Sequence, residues 1–152
     1  MIGDWIDKVA YPQLPSMSGE ELSAFFEKAQ FARLGTLNAD GTIHIAPIFF
    51  KFDQGQILMA SQEPSRKVRN IRGNNKVSVL IDTTEVPFKG VLIYGTAELD
   101  YEDVVSKRIA IFKRRLCQED AETYARRLSD KWKCVIIRIK PDRITSFDYS
   151  KA

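Results

Sequence analysis

Two short polar turns constrain this chain more than any other feature. Asn38-Ala39-Asp40-Gly41 and Asp53-Gln54-Gly55-Gln56 each divide one apolar run from the next, and connections that short join antiparallel neighbours. The runs Phe31 to Leu37, Thr42 to about Phe52, Ile57 to Ala60, Val77 to Asp82, Gly90 to Leu99 and Cys134 to Ile139 carry the β-branched and aromatic residues of strands. Pro141-Asp142 is read as ending the last of these, with Ile144 to Asp148 as a further short strand. Pro47 cannot donate a ladder hydrogen bond, so it marks an edge, a bulge or a strand switch, and Gly95 permits a bend or bulge. Helical spacing appears in two places. Ser18-Gly19-Glu20-Glu21 has capping-box spacing ahead of Leu22, Phe25, Phe26 and Ala29, which predicts a helix covering one end of a sheet. Val104, Val105, Ile109, Phe112 and Leu116 form one stripe, continued after a break by Tyr124, Ala125 and Leu128. About seven strands joined mostly by short turns predict a mainly β protein, an antiparallel barrel with helices at its ends.

A length of 152 residues suits a single domain over 1–152, with residues 1–16 as an irregular arm whose Ile2, Trp5, Ile6, Val9 and Tyr11 argue against a free tail. Twenty-three Lys and Arg against 20 Asp and Glu leave a net charge of +3, too mild to imply nucleic acid. Arg108, Lys113, Arg114, Arg115, Arg126 and Arg127 read as a solvated or interface face. No run approaches the roughly 18 apolar residues of a membrane span, and the N-terminus lacks a signal-peptide pattern, so a cytoplasmic protein is expected. Cys117 and Cys134 have neither close spacing nor a histidine cluster, which predicts reduced thiols and no metal site. His44 is the single histidine, read as a surface or interface residue, and no partners for triad chemistry accompany it.

The run Ser65-Arg66-Lys67-Val68-Arg69-Asn70-Ile71-Arg72 is the sharpest chemical signal. Ser65 can cap a short helix, which puts Arg66 and Lys67 in its first turn, where the helix dipole disfavours cations. An anion there would be met by free backbone N–H groups, the Ser65 hydroxyl and both cations together. The plain alternative is a solvated basic helix.

Taken in order, Ala32 to Leu37, Asp40 to Phe50, Ser65 to Ile71 and Val91 to Glu98 resemble the pyridoxamine 5′-phosphate oxidase-like flavin-binding split barrels, over about residues 20 to 150. The resemblance implies a six-stranded antiparallel split β-barrel with flanking helices, a homodimer holding FMN between its subunits. It carries Ile45, Ala46, Pro47, Ile48, Phe49 and Phe50 to the strand along the isoalloxazine and ribityl chain. Ala60 and Ser61 fall beside the phosphate, Arg66 and Lys67 on the family's phosphate pair, and Ser65 adds a donor. Gly90 stands about where the true oxidase has a ring-contacting glutamine. The chain also closes on Asp148-Tyr149-Ser150-Lys151-Ala152, without the Arg- and His-bearing segment that holds pyridoxal substrate, which disfavours pyridoxamine phosphate oxidation itself. The implied activity is an FMN-dependent oxidoreductase between small-molecule donor and acceptor, with no catalytic side chain singled out. A reductase using the deazaflavin F420, and a non-catalytic flavin or haem binder, are the alternatives.

Overall fold

The capping box opens the first helix, α1 (Gly19–Lys28): Ser18 Oγ accepts from the Glu21 N–H at 3.2 Å, and Glu21 Oε1 accepts from the Ser18 N–H at 3.0 Å. The computed structural model describes residues 15–151, so the arm expected over 1–16 lies, as far as residue 14, outside them. Strand β1 (Ala32–Leu37) turns through Asn38–Gly41 into β2 (Ile43–Ile48), and β3 (Lys51–Asp53) turns through Gln54-Gly55 into β4 (Gln56–Gln62). The basic run forms α2 (Arg66–Gly73), followed by β5 (Lys76–Asp82) and the long β6 (Lys89–Asp100). The second helical region is two helices, α3 (Val104–Phe112) and α4 (Gln118–Lys131), before β7 (Cys134–Asp148) and a 3-10 turn over Tyr149–Lys151.

All seven strands form one antiparallel sheet in the order β2-β1-β5-β6-β7-β4-β3. Its two edge strands, β2 and β3, are consecutive in sequence and separated only by Phe49 and Phe50. In a flat sheet, six strand spacings would hold them roughly 29 Å apart. Three Cα steps from Ile48 to Lys51 reach roughly 11 Å at most. The sheet therefore curls until its edges meet, which is the split barrel that the resemblance implies. Seven segments appear where six were expected, because the run from Thr42 to Phe52 is broken at the switch into β2 and β3. Pro47 marks both an edge and the approach to a strand switch.

The barrel interior is filled by alternate residues such as Leu34, Ile57, Met59, Val79, Ile81, Ile93, Ile137 and Ile139, all fully buried. Phe25 and Phe26 of α1 join this cluster at one end, where Phe26 stacks on Phe52 with ring centroids 4.5 Å apart. Val68 and Ile71 of α2 also belong to this cluster, and α2 is tied to the β1–β2 turn at the opposite end. A second cluster outside the barrel packs Ile111, Phe112, Ala121 and Ala125 of α3 and α4 onto Leu58 and Ile136.

Pro141 does not end the last strand. β7 runs through it, because the pairing with β6 slips between Tyr94↔Arg143 and Gly95↔Pro141, leaving Asp142 as the extra residue of a bulge. Gly95 permits this closeness: a Cβ there would stand 2.8 Å from both the Lys140 carbonyl oxygen and Ile139 Cγ2. Gly95→Ala should destabilise the protein by about 1–3 kcal/mol, measured by denaturant unfolding, because the nearest obstacle is backbone. An unchanged midpoint would show that the bulge does not depend on the missing side chain.

Candidate functional site

The closure leaves a seam. β3 pairs with only the first three residues of β4, opposite Gln56, Ile57 and Leu58, so β4 from Met59 to Gln62 has no strand on that side. β2 likewise pairs on one side only. The Asn38 N–H donates to the Thr42 carbonyl at 2.9 Å, and bonded pairs recur at every second residue of an antiparallel ladder. Thr36/His44, Leu34/Ala46 and Ala32/Ile48 are therefore the bonded pairs, and Ile43, Ile45 and Pro47 turn their backbone groups to the open edge. These three also carry exposed side chains, whereas Ile48 and Phe50 sink into the core.

Helix α2 begins where β4 ends, at one end of the seam. Its N-cap is Ser65 by backbone geometry, but the Ser65 side chain makes no capping bond to the helix, and the first turn contains no acidic residue. The Ser65 hydroxyl instead lies 2.9 Å from that of Ser61, which is 1% exposed, and Ser61 Oγ donates to the Gln62 carbonyl at 3.2 Å. Asn70, buried on the inner face of α2, fixes the helix to the barrel: its Nδ2 donates to Thr36 Oγ1 at 3.0 Å and to Asn38 Oδ1 at 2.8 Å. One helical turn earlier on the same face come Arg66 and Lys67.

Electrostatics separates these cations. Arg72 is matched, with its guanidinium on Glu63 and on the Tyr101 hydroxyl, the latter at 2.7 Å. Lys67 is half-buried and has no carboxylate or hydrogen-bond partner among the described residues, and burial alone pulls its pKa down. Arg66 is exposed and near the β1–β2 turn. The Asp40 carboxyl there is held below its ordinary range first by the Thr42 hydroxyl and N–H, with the Arg66 charge as a lesser cause. An uncapped helix start, an unmatched ammonium and a part-buried hydroxyl pair thus meet at this candidate site.

Of the residues expected there, Ser61, Ser65, Arg66 and Lys67 come together at this end of the seam, and Ala60 lies on the unpaired stretch of β4, packed toward α3 and α4. Ile45, Ala46, Pro47 and Ile48 form the opposite edge, and Phe49 and Phe50 make the switch above it. Gly90 is elsewhere. It pairs with Asp82, six positions along β6 from Thr96, which pairs with Lys76 just beyond α2. That is roughly 20 Å of strand. A Cβ at Gly90 would stand 2.7 Å from the Ile81 carbonyl oxygen and 2.8 Å from Phe147, so close packing already requires glycine there. Sequence reasoning missed Asn70 and Thr36, whose only signal was a polar residue on the inner face of a basic helix.

On its outer side, the sheet from β2 to β6 bears a groove of about 580 Å³ lined by Ile43, Ile45, Leu37, Leu80, Leu92 and Tyr94, with Arg33, Lys76 and Asp142 also on its walls. Ile43 and Ile45 are 68% and 65% exposed. No helix of the described residues is long and apolar enough to cross a membrane.

A family model described as pyridoxamine 5′-phosphate oxidase matches residues 18–147. No protein among the curated ones matches the chain. Among solved structures, a conserved hypothetical protein from Mycobacterium tuberculosis is 22% identical over 93% of this chain and 90% of its own, with a TM-score of 0.79. An F420 reductase is 19% identical over 80% of this chain and 94% of its own, with a TM-score of 0.64. An FAD-binding protein from Mesorhizobium loti is 20% identical over 88% of this chain and 95% of its own, with a TM-score of 0.61. At these identities the likeness carries the fold.

The unmatched ammonium has a measurable consequence. A pKa lowered in the folded state means that protonating Lys67 opposes folding, a penalty present at neutral pH and relieved only as pH rises toward the ordinary value of 10.5. Lys67→Met should therefore raise the thermal midpoint of the ligand-free protein at pH 7, and inorganic phosphate should stabilise the wild type more than the variant. A variant less stable than the wild type would mean that the ammonium is matched after all.

Proposed function

We propose that this chain, which belongs to the pyridoxamine 5′-phosphate oxidase family, is an FMN-dependent oxidoreductase that takes its phosphate handle at the α2 N-terminus. The observation that carries the proposal is the half-buried, unmatched Lys67 at an uncapped helix start beside two open strand edges. The residues present fit the cofactor. Lys67, Arg66, the Ser61–Ser65 hydroxyls and the first N–H groups of α2 would hold a phosphate dianion. The outward N–H and C=O groups of Ile43 and Ile45 offer both donors and acceptors to the polar edge of a flavin ring, and the missing Pro47 donor leaves a carbonyl there. When bound, the flavin supplies hydride and electron transfer. The chain's own part is to anchor the phosphate, orient the ring along β2 and exclude water.

The outer groove supports a second element of the proposal, a homodimer. A contiguous apolar face of this kind on a soluble domain marks an interaction surface. A second copy of the chain covers it most economically, because in a two-fold arrangement the same apolar patch meets itself. The β2 edge adjoins this face, so a partner seated there would close the open side of the cofactor site.

A deazaflavin reductase is the second reading, favoured by the likeness to the F420 reductase, since a basic phosphate end serves either cofactor. The visible spectrum of the purified protein distinguishes the two: FMN and F420 absorb at different wavelengths. Bleaching on addition of reduced nicotinamide would then separate an enzyme from a binder.

Replacing both Arg66 and Lys67 with Ala should give a folded protein whose FMN affinity falls about a hundredfold or more, because each charge-assisted hydrogen bond contributes about 1.5–3 kcal/mol. Equal affinities by fluorescence titration would sink the assignment of the phosphate end. Ile43→Glu should convert a dimer to a monomer by light scattering, and a wild type that is already monomeric at micromolar concentration would remove the dimer from the proposal.

A further inference from the structure

Arg114, in the turn after α3, belongs to the basic set that sequence reading places on a solvated or interface face. The structure assigns it to neither. Its guanidinium is half-buried on four backbone carbonyls: Nη1 donates to Phe50 at 2.5 Å, and Nη2 donates to Phe26 at 2.7 Å, Ala29 at 3.1 Å and Glu27 at 3.3 Å. The guanidinium carbon lies 4.6 Å from the centroid of the Phe50 ring. Burial pulls its pKa down while the Glu27 charge opposes that, yet no carboxylate lies within ion-pair distance of it among the described residues. An arginine stays charged in such a place, so the carbonyl dipoles must hold it.

Three of those carbonyls end α1, at Phe26 and Glu27 of its last turn and Ala29 of its C-cap, where helix carbonyls lack intrahelical partners and a cation is favoured. The fourth is different. Phe50 belongs to the two residues that have left β2 and not yet entered β3, and it pairs with no strand. A buried carbonyl left unmatched there would be costly, and Arg114 is the group that matches it. It pins the chain at the point where β2 parts from β4.

We propose that Arg114 is a positioning residue of the seam. By holding Phe50, it fixes the course on which β2 diverges, and therefore the separation of the two open strand edges between which a planar ligand would lie. It acts through Phe50 and α1, at the other end of the seam from the Ser61–Lys67 cluster. The inference rests on the reading of the seam as a flavin site, and its effect is distinct from that of the phosphate end.

Riboflavin, which lacks the phosphate, separates the two. Arg114→Met keeps the apolar stem and removes the fork. In protein shown to be folded by circular dichroism, it should weaken FMN and riboflavin by the same factor, about tenfold. Arg66→Ala should weaken FMN alone. A purely structural role would lower the melting temperature and leave both affinities unchanged in folded protein, and that result overturns the proposal, as does a loss confined to FMN. If Arg114→Met does not fold, Arg114→Lys keeps the charge without the fork and carries the same comparison. If the wild type binds neither flavin, the functional reading fails. In that case, or if the wild type binds FMN alone, amide exchange in the ligand-free protein decides the fate of Arg114. Faster exchange at Lys51 in the variant supports it, and unchanged exchange there refutes it.

Discussion

Ile48 and Lys51 sit on strands at opposite edges of one sheet, with two residues between them. That short connection can be made only if the sheet curls through a full turn, and the other features of the fold follow from the curl. A closed sheet has an inside, which takes up alternate residues of every strand, and two ends, to which α1 and α2 contribute apolar faces. It also has a defect. The combined β2–β3 strand gives its first half to β1 and its second half to β4, so β4 beyond Leu58 and the outer side of β2 are left without a strand partner. The candidate site occupies that defect. It is a by-product of closure, already lined by unsatisfied backbone before any side chain is considered.

The basic residues divide between those the fold uses and those it leaves spare. Arg72 joins Glu63 and Tyr101, and Arg114 gathers the carbonyls of α1 and Phe50. Lys67 has no such role, although its ammonium is partly removed from water. Asn70 accounts for why the helix tolerates this. Its amide bonds to Thr36 and Asn38 hold α2 in register with the barrel, so the strain at the first turn cannot be relieved by the helix swinging outward. A fold optimised for stability alone would have put an acid in that first turn.

Local chemistry made much of this legible in the sequence. The Asn38–Gly41 and Asp53–Gln56 turns located two hairpins, Ser18 and Glu21 announced α1, and Gly95 foretold a bulge. What failed to read correctly depends on partners distant in sequence. Pro141 looked like the end of a strand because its tolerance comes from Gly95, on the neighbouring strand. Arg114 was indistinguishable from its neighbours Lys113 and Arg115, since the carbonyls that bind it lie on α1 and at the strand switch. The break within Thr42 to Phe52 was invisible for a related reason: continuous apolar character does not reveal when a strand changes partners.

Pro47 has a further consequence beyond marking an edge. An edge strand with isoleucines on its outer face is the sort of surface on which stray polypeptide can nucleate, adding strand upon strand into insoluble aggregate. The imide nitrogen of Pro47 points toward that open side and has no hydrogen to give, so an incoming chain would meet a gap in the ladder near the end of β2. The same proline that helps locate the switch thus guards the edge against runaway polymerisation.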